Sequence, residues 1–337
     1  MAIENTALRF KMHAISNWHR EPGFGEWLVI HDQIVAALRE FGFVPEIVPA
    51  GTPPTEEHGV VFFAKHTRSS LPNVWNIKKS YLPNYVYFDR TGYSGWAEVA
   101  NKPEIFAAAL SRDGVAAETF YTQLLADTVD RNASKIEQGD DTFDAPPGPF
   151  VFLPMQLGHD TVMQLSRVGF VEFYEAVRDW ADRHGFALVV KPHPFAARHP
   201  VTGRECIETR RVLQDAQDRP GVTITSASIH RILPACVAVF CVNSGVGFEA
   251  LVHLKPVYTA GHCDYHWATH LIATTADLDS ICDPSQPKLC SADTKRFLHH
   301  FLTEVLVDTR EPDRVRSMIS RAVMISRAVS DYWASRQ

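Results

Sequence analysis

The sequence predicts an α/β protein built as two Rossmann-like domains facing a cleft. Three observations carry that prediction. Short apolar segments rich in Val, Ile and Phe alternate with segments of helical periodicity, the pattern of βαβ units and parallel sheets. The alternation breaks at Lys135–Pro149, KIEQGDDTFDAPPGP, which is acidic, rich in Gly and Pro, and reads as a linker. The length of 337 residues suits two domains. The expected division is an N-terminal domain over 1–140, a C-terminal domain over 149–310, and a terminal helix over 311–337 packing across the domains.

Taken in order, Leu8–Ile15 reads as a first strand, followed by a loop at Asn17–Gly25. Glu26–Phe41 has helical periodicity through Trp27, Ile30, Ile34 and Leu38, and Gly42 closes it. Phe43–Val48, Gly59–Lys65 and Asn84–Asp89 read as strands, then Pro103–Leu110 and Ala116–Val129 as helices. Beyond the linker come strand Phe150–Pro154, helix Gly169–His184, strand Phe186–Val190, helix Ile207–Ala216 and strand Val222–Thr225. A short helix at Ile229–Leu233 precedes strand Val237–Val242, helix Val246–Val252 and strand Pro256–Thr259. Helices at Ala276–Ile281, Thr294–Val305 and Pro312–Trp333 finish the chain.

Composition narrows the function classes. Apolar residues make up 45% and charged residues 21%, as in a globular protein. The formal net charge is -6, from 33 basic and 39 acidic residues, which argues against a broad nucleic-acid footprint. Six cysteines form no CxxC pair, so a reduced, cytoplasmic protein is expected. The start of the chain has no signal-peptide core, and no run approaches the roughly 18 apolar residues of a membrane span.

Four segments carry chemistry. In FALVVKPHP, Phe186–Pro194, an apolar strand ends at Lys191 and two prolines stop it, holding His193 at the strand's carboxyl end. In Val239–Gly261, an apolar strand ends at Asn243-Ser244-Gly245 and a helix begins at once. Its N-terminus suits a phosphate, and Glu249 suits ribose hydroxyls. The same turn is equally an ordinary β–α connection, since it lacks the GxGxxG spacing. In Phe152–Ser166, Gln156 and Asp160 follow a strand on the same sheet edge; Asp160 also reads as a helix N-cap. In Tyr85–Glu98, an aromatic, Gly-containing loop offers Asp89 or Glu98 as a carboxylate from the first domain.

Two further segments have other readings. His262, His266 and His270 would share a face if helical, the arrangement a zinc site needs, but neither HExxH nor CxxC accompanies them and the run follows a strand. Arg310–Arg336 holds six arginines on an apolar-striped helix. That suits either an anionic lipid surface or a terminal helix packed on the domains, and Glu311, Asp313 and Asp331, with Asp308 just before it, dilute the charge.

MQLGHD, VVKPHP and VNSGVGFEALVHLKPVYTAG followed by HCDYHW, in this order, resemble the bacterial capsule-polysaccharide synthesis family of retaining β-Kdo (3-deoxy-manno-octulosonic acid) transferases. The likeness is strongest over Phe150–His270 and looser in YFDRTGYSGWAE. The resemblance implies a GT-B fold, CMP-β-Kdo as donor and no metal or other cofactor. It implies Asp160 as nucleophile, Glu98 (or Asp89) as the carboxylate that activates the acceptor, and His193 against the donor phosphate. Gln156, Lys191, Asn243, Ser244, Gly245 and Glu249 would bind the donor, and Lys191, Arg90 or Arg231 would balance the Kdo carboxylate. Implied partners are the CMP-sugar and a glycan or lipid-linked oligosaccharide acceptor, met by a cytoplasmic enzyme in peripheral contact with the inner membrane. A larger multidomain context is compatible with this. Two alternatives stand beside it: a GT-B transferase using another CMP- or UDP-sugar, such as sialic acid, and a non-catalytic nucleotide- or glycan-binding protein of the same fold.

Overall fold

The computed structural model describes residues 8–15, 25–139, 141–197, 203 and 205–334, with side chains to residue 326. The predicted loop Asn17–Gly25, except Gly25, lies outside them, as do the side chains of Arg327 and Arg336. In chain order the elements begin β1 (Arg9–His13), α1 (Glu26–Glu40), β2 (Glu46–Val48), β3 (Val60–Lys65), β4 (Val74–Lys79) and β5 (Tyr85–Asp89). There follow α2 (Glu98–Asn101), α3 (Pro103–Leu110), α4 (Gly114–Thr128), β6 (Phe150–Pro154), α5 (Phe170–Arg183), β7 (Ala187–Lys191), α6 (Ile207–Gln217) and β8 (Val222–Ile224). The chain closes with α7 (Ile229–Ile232), β9 (Ala238–Cys241), α8 (Gly245–Val252), β10 (Val257–Thr259), β11 (His270–Leu271), α9 (Ser291–His300), β12 (Leu306–Asp308) and α10 (Pro312–Ala334).

The chain forms two compact units, Met1–Glu98 with Phe301–Gln337, and Val99–His300. The division therefore falls within α2 and after α9, not in the Lys135–Pro149 linker. The physical reason is side-chain contact. In the second unit Tyr121 of α4 donates to the Val252 carbonyl at 2.8 Å, and Glu118 pairs with Lys295 of α9 at 2.7 Å. Helices α3 and α4 thus belong to the C-terminal sheet, and the linker lies inside that unit. The terminal helix joins the first unit, where Val315, Ile319, Ala322 and Val323 enter the core that holds α1.

The first unit's sheet has the order β12-β5-β4-β3-β1-β2. Strands β1 to β4 pair in parallel, while β5 and β12 are antiparallel additions. Its core lies between the sheet and helices α1 and α10. Burial of Trp27, Ile30, Ile34, Ala37 and Leu38 follows the 3.6-residue period of α1, and each large one contributes about 1.5–3 kcal/mol.

The second unit's sheet has the order β11-β10-β9-β6-β7-β8, with every described pairing parallel. Counted within the sheet, this is the dinucleotide-fold order 3-2-1-4-5-6. The strand order reverses between β6 and β9. Trp180 of α5 anchors the core, with Phe240 of β9 at 5.2 Å and Phe186 stacked at 5.6 Å. The predicted helix Ala276–Ile281 is a short 3-10 segment, and that predicted at Thr294–Val305 is α9 continued by a π turn over Phe301–Val305.

Candidate functional site

Three central strands, β9, β6 and β7, bring the C-terminal candidates to one sheet edge. Gln156 and Asp160 follow β6, Lys191 and His193 end β7, and Asn243 and Ser244 follow β9. The crevice outside this edge, at the reversal of strand order, is where open α/β sheets take ligands. Main-chain bonds hold it together: Arg167 N–H donates to the Ala260 carbonyl and His262 N–H to the Leu165 carbonyl, each at 2.9 Å.

The β9–α8 turn is tightly built. Ser244 caps α8, its hydroxyl accepting from Val246 N–H at 3.3 Å. The Asn243 amide donates to the Val162 carbonyl at 2.8 Å, tying this turn to the segment after Asp160. Gly247 lets α8 approach its neighbours: a Cβ there would lie 2.6 Å from Tyr265 Oη and 2.8 Å from Cys241 Sγ. Two buried acceptors, Asn243 Oδ1 in this turn and Glu249 Oε1 on α8, have no hydrogen-bond partner among the described residues. Unpaired buried acceptors are costly, and they mark where a ligand's donors would sit. Burial pushes the Glu249 carboxyl up to about 8, against the pull of a bond from Ser134 and the charge of Lys135.

The HP turn behaves as its prolines dictate, with β7 ending at Lys191. His193 Nδ1 accepts from Phe195 N–H at 3.1 Å, so in the neutral ring Nε2 carries the proton and is a donor. Lys191 Nζ donates to the carbonyls of Ser226 and Ala227 at 2.7 and 2.8 Å, which commits two of its three donors to the fold. Burial lowers its pKa. Gln156 is buried, and Arg231 is exposed on α7.

Asp160 is exposed and caps the 3-10 turn Thr161–Leu165, accepting from Val162 N–H at 3.3 Å. One element behind it was absent from the sequence reading. Cys206 Sγ accepts from Gly158 N–H at 3.3 Å and donates to Glu208 at 3.4 Å, while a Cβ on Gly158 would meet that carboxyl at 2.5 Å. Nothing in the spacing of residues 156 to 208 signals this contact.

In the first unit, Asp89 is an organiser of its loop. Oδ1 accepts from Thr91 N–H, the Thr91 hydroxyl and Gly92 N–H at 2.7, 2.9 and 2.9 Å, and Oδ2 from Glu98 N–H at 3.0 Å. Burial raises its pKa, and these four bonds oppose the rise. Glu98 opens α2 and is half-buried, with Arg90 as a charged neighbour. Arg90 itself lies over the Trp75 ring at 4.6 Å.

The histidine run does not form one face. His262 and His266 rings lie 4.5 Å apart, while His270 stacks on Tyr258 and bonds to the Gln286 carbonyl at 2.9 Å. Among the described residues no group of three or more metal-ligating side chains gathers, and no helix is long and apolar enough to cross a membrane. On α10, Arg316 pairs with Asp313 at 2.9 Å and Glu40 at 3.8 Å.

A family profile described as capsule polysaccharide biosynthesis protein matches residues 117–301. Among solved structures, the KpsC β-Kdo 2,7-transferase of Thermosulfurimonas dismutans is similar at a TM-score of 0.52 and 16% identity, covering 86% of this chain and 89% of that one. The KpsC β-Kdo 2,4-transferase of the same organism is similar at a TM-score of 0.51 and 16% identity, covering 85% and 89%. No curated protein matches the sequence. The architecture is GT-B.

Proposed function

The chain belongs to the capsule polysaccharide biosynthesis family, and from that premise we propose that it is a retaining glycosyltransferase. It moves β-Kdo from CMP-β-Kdo to a glycan or lipid-linked acceptor in surface-polysaccharide synthesis. The observation that carries the reading is the sheet edge of the second unit, where Asp160, His193 and the Ser244 cap lie in the segments that follow three adjacent strands, β6, β7 and β9, beside the reversal of strand order. The unpaired acceptors Asn243 Oδ1 and Glu249 Oε1 suit the hydroxyl and amino donors of a nucleoside. The likeness to two β-Kdo transferases supports the same sugar.

In this account the donor phosphate lies at the N-terminus of α8, where the helix dipole and His193 Nε2–H offset its growing charge. The Asp160 carboxylate attacks C2 of Kdo. The C2–O bond to CMP breaks, and its electron pair leaves on the phosphate. Glu98 then takes the proton of the acceptor hydroxyl, whose oxygen attacks C2 and expels Asp160, so that two inversions give retention. Glu98 fills this role better than Asp89, whose two oxygens already accept four bonds. Gln156 and the remaining donor of Lys191 complete the sugar's surroundings. No divalent metal is required by this chemistry, because the helix terminus and His193 supply positive potential. The enzyme works at the cytoplasmic face of the membrane, where a lipid-linked acceptor would be met.

The test is intact-mass spectrometry of a Glu98→Gln variant given CMP-β-Kdo. A Kdo adduct that maps to Asp160 and is absent in Asp160→Ala is expected. Undiminished transfer by Asp160→Ala overturns the nucleophile assignment.

A further inference from the structure

In the first unit the strand order reverses between β1 and β3. That is the place in such a sheet where a ligand crevice forms. The two strands end there on His13 and Lys65, neither of which has a part in the reading above. Lys65 is 4% exposed, and its Nζ donates to one neutral acceptor, the His13 carbonyl at 2.5 Å. Among the described residues, one of its three N–H donors is used.

The neighbouring strand supplies a comparison within the same sheet. β4 ends on Lys79, also 4% exposed, and this lysine holds the Glu26 carboxylate at 3.0 Å. Removing an ammonium from water is costly unless an opposite charge meets it. Lys79 has that charge. Among the described residues no carboxylate lies within ion-pair distance of Lys65; the acid whose field it feels, Asp32, has an 81% exposed side chain and bonds to His31 at 3.1 Å.

His13 does not serve as the missing counter-charge. Its Nδ1 accepts from Lys65 N–H at 3.0 Å, and Nε2 donates to the Thr52 carbonyl at 2.8 Å. The ring is neutral and fully bonded, and burial keeps its pKa low. Its effect is to fix the backbone from which Lys65 projects. His31 of α1 also feels Lys65, and burial lowers its pKa as well. Among the described residues the titratable groups facing Lys65 are thus His13, His31 and Asp32, and none of them neutralises it in direct contact.

We propose that Lys65 is the anion-binding residue of the first unit, receiving a carboxylate or phosphate group of the acceptor at the reversal between β1 and β3. The word acceptor rests on the transferase reading; the anion site does not. Burial pushes the unliganded amine down to about 7. An anion's oxygens would occupy the two remaining N–H donors and hold the group charged.

The test uses the full chain with lysine labelled at 13Cε, the Lys65 signal being identified by its loss in Lys65→Arg. Alone, the signal titrates near neutrality. Saturating inorganic phosphate or free Kdo raises its midpoint by at least one pH unit. A shift with phosphate alone assigns a phosphorylated acceptor, and a shift with Kdo alone assigns a sugar acid. If neither anion moves the midpoint, the proposal is overturned. In parallel, Lys65→Met raises the acceptor KM at least tenfold and leaves the donor KM unchanged. Transfer from CMP-β-Kdo with an unaltered acceptor KM sinks the Lys65 site while sparing the transferase. A midpoint shift in a protein that transfers no Kdo does the reverse. Where the methionine variant does not fold, the titration of the wild-type chain decides.

Discussion

Replacing Glu249 by Gln should make the protein more stable at neutral pH and flatten its pH dependence. Glu249 is 3% exposed on α8, and burial lifts its carboxyl from an ordinary 4.5 to about 8. A carboxyl whose folded pKa is raised favours the folded state fully below the unfolded value. That contribution is then lost as pH climbs toward the folded one. At 1.36 kcal/mol per pH unit, the loss between pH 4.5 and pH 7 is about 3 kcal/mol. Glutamine has no proton to lose and keeps the shape. It gives up part of the bond to Ser134, about 1 kcal/mol. The net gain at pH 7 is therefore about 2 kcal/mol, or roughly 4–8 °C in Tm for domains of this size. Urea unfolding of both proteins at pH 5, 6, 7 and 8 reads it directly. The wild-type curve should fall toward alkaline pH, the variant should stay level, and the two should cross near pH 5. Parallel curves would show that Glu249 is ionised in the folded state, and the burial argument would fail.

Two other substitutions test the local geometry. Gly247→Ala pushes a methyl against Tyr265 Oη and Cys241 Sγ. It should cost about 1–3 kcal/mol, offset by up to about 1 kcal/mol of helix propensity, and weaken CMP binding by moving the Ser244 cap; calorimetric affinity equal to wild type would contradict this. Asp89→Asn sets an amide donor against one of the N–H groups that Asp89 now accepts. A loss of about 1–3 kcal/mol in urea unfolding is expected, with transfer reduced through the displaced Glu98.

Much of the second unit was legible because its punctuation is chemical. Pro192 and Pro194 must end β7, and Asn243-Ser244-Gly245 must turn the chain into α8. Asp160 showed its capping role in its position before an apolar run, and it does cap. The first unit was harder to read. β4 escaped because VWNIKK places Asn76, Lys78 and Lys79 in a strand that reads as half-polar. Asn76 is nevertheless fully buried, bonding to Thr67, Ser69 and Asp89, and Lys79 is paired. The domain boundary was misplaced for a related reason. A Gly- and Pro-rich stretch signals a loop, but only long-range contacts, such as Tyr121 to Val252, decide which sheet the flanking helices cover. The contacts of Lys65 and the Gly158–Glu208 approach depend on residues tens of positions apart, which no local pattern encodes.

The central claim is that the crevice at the β6–β9 reversal holds an activated Kdo, and a crystal structure with CMP-β-Kdo bound tests it most directly. The account predicts the phosphate at the N-terminus of α8 beside Ser244 and within hydrogen-bond distance of His193 Nε2. It places the ribose hydroxyls on Glu249 and C2 of Kdo facing the Asp160 carboxylate. CMP bound away from this turn, or a sugar whose C2 points away from Asp160, would contradict it.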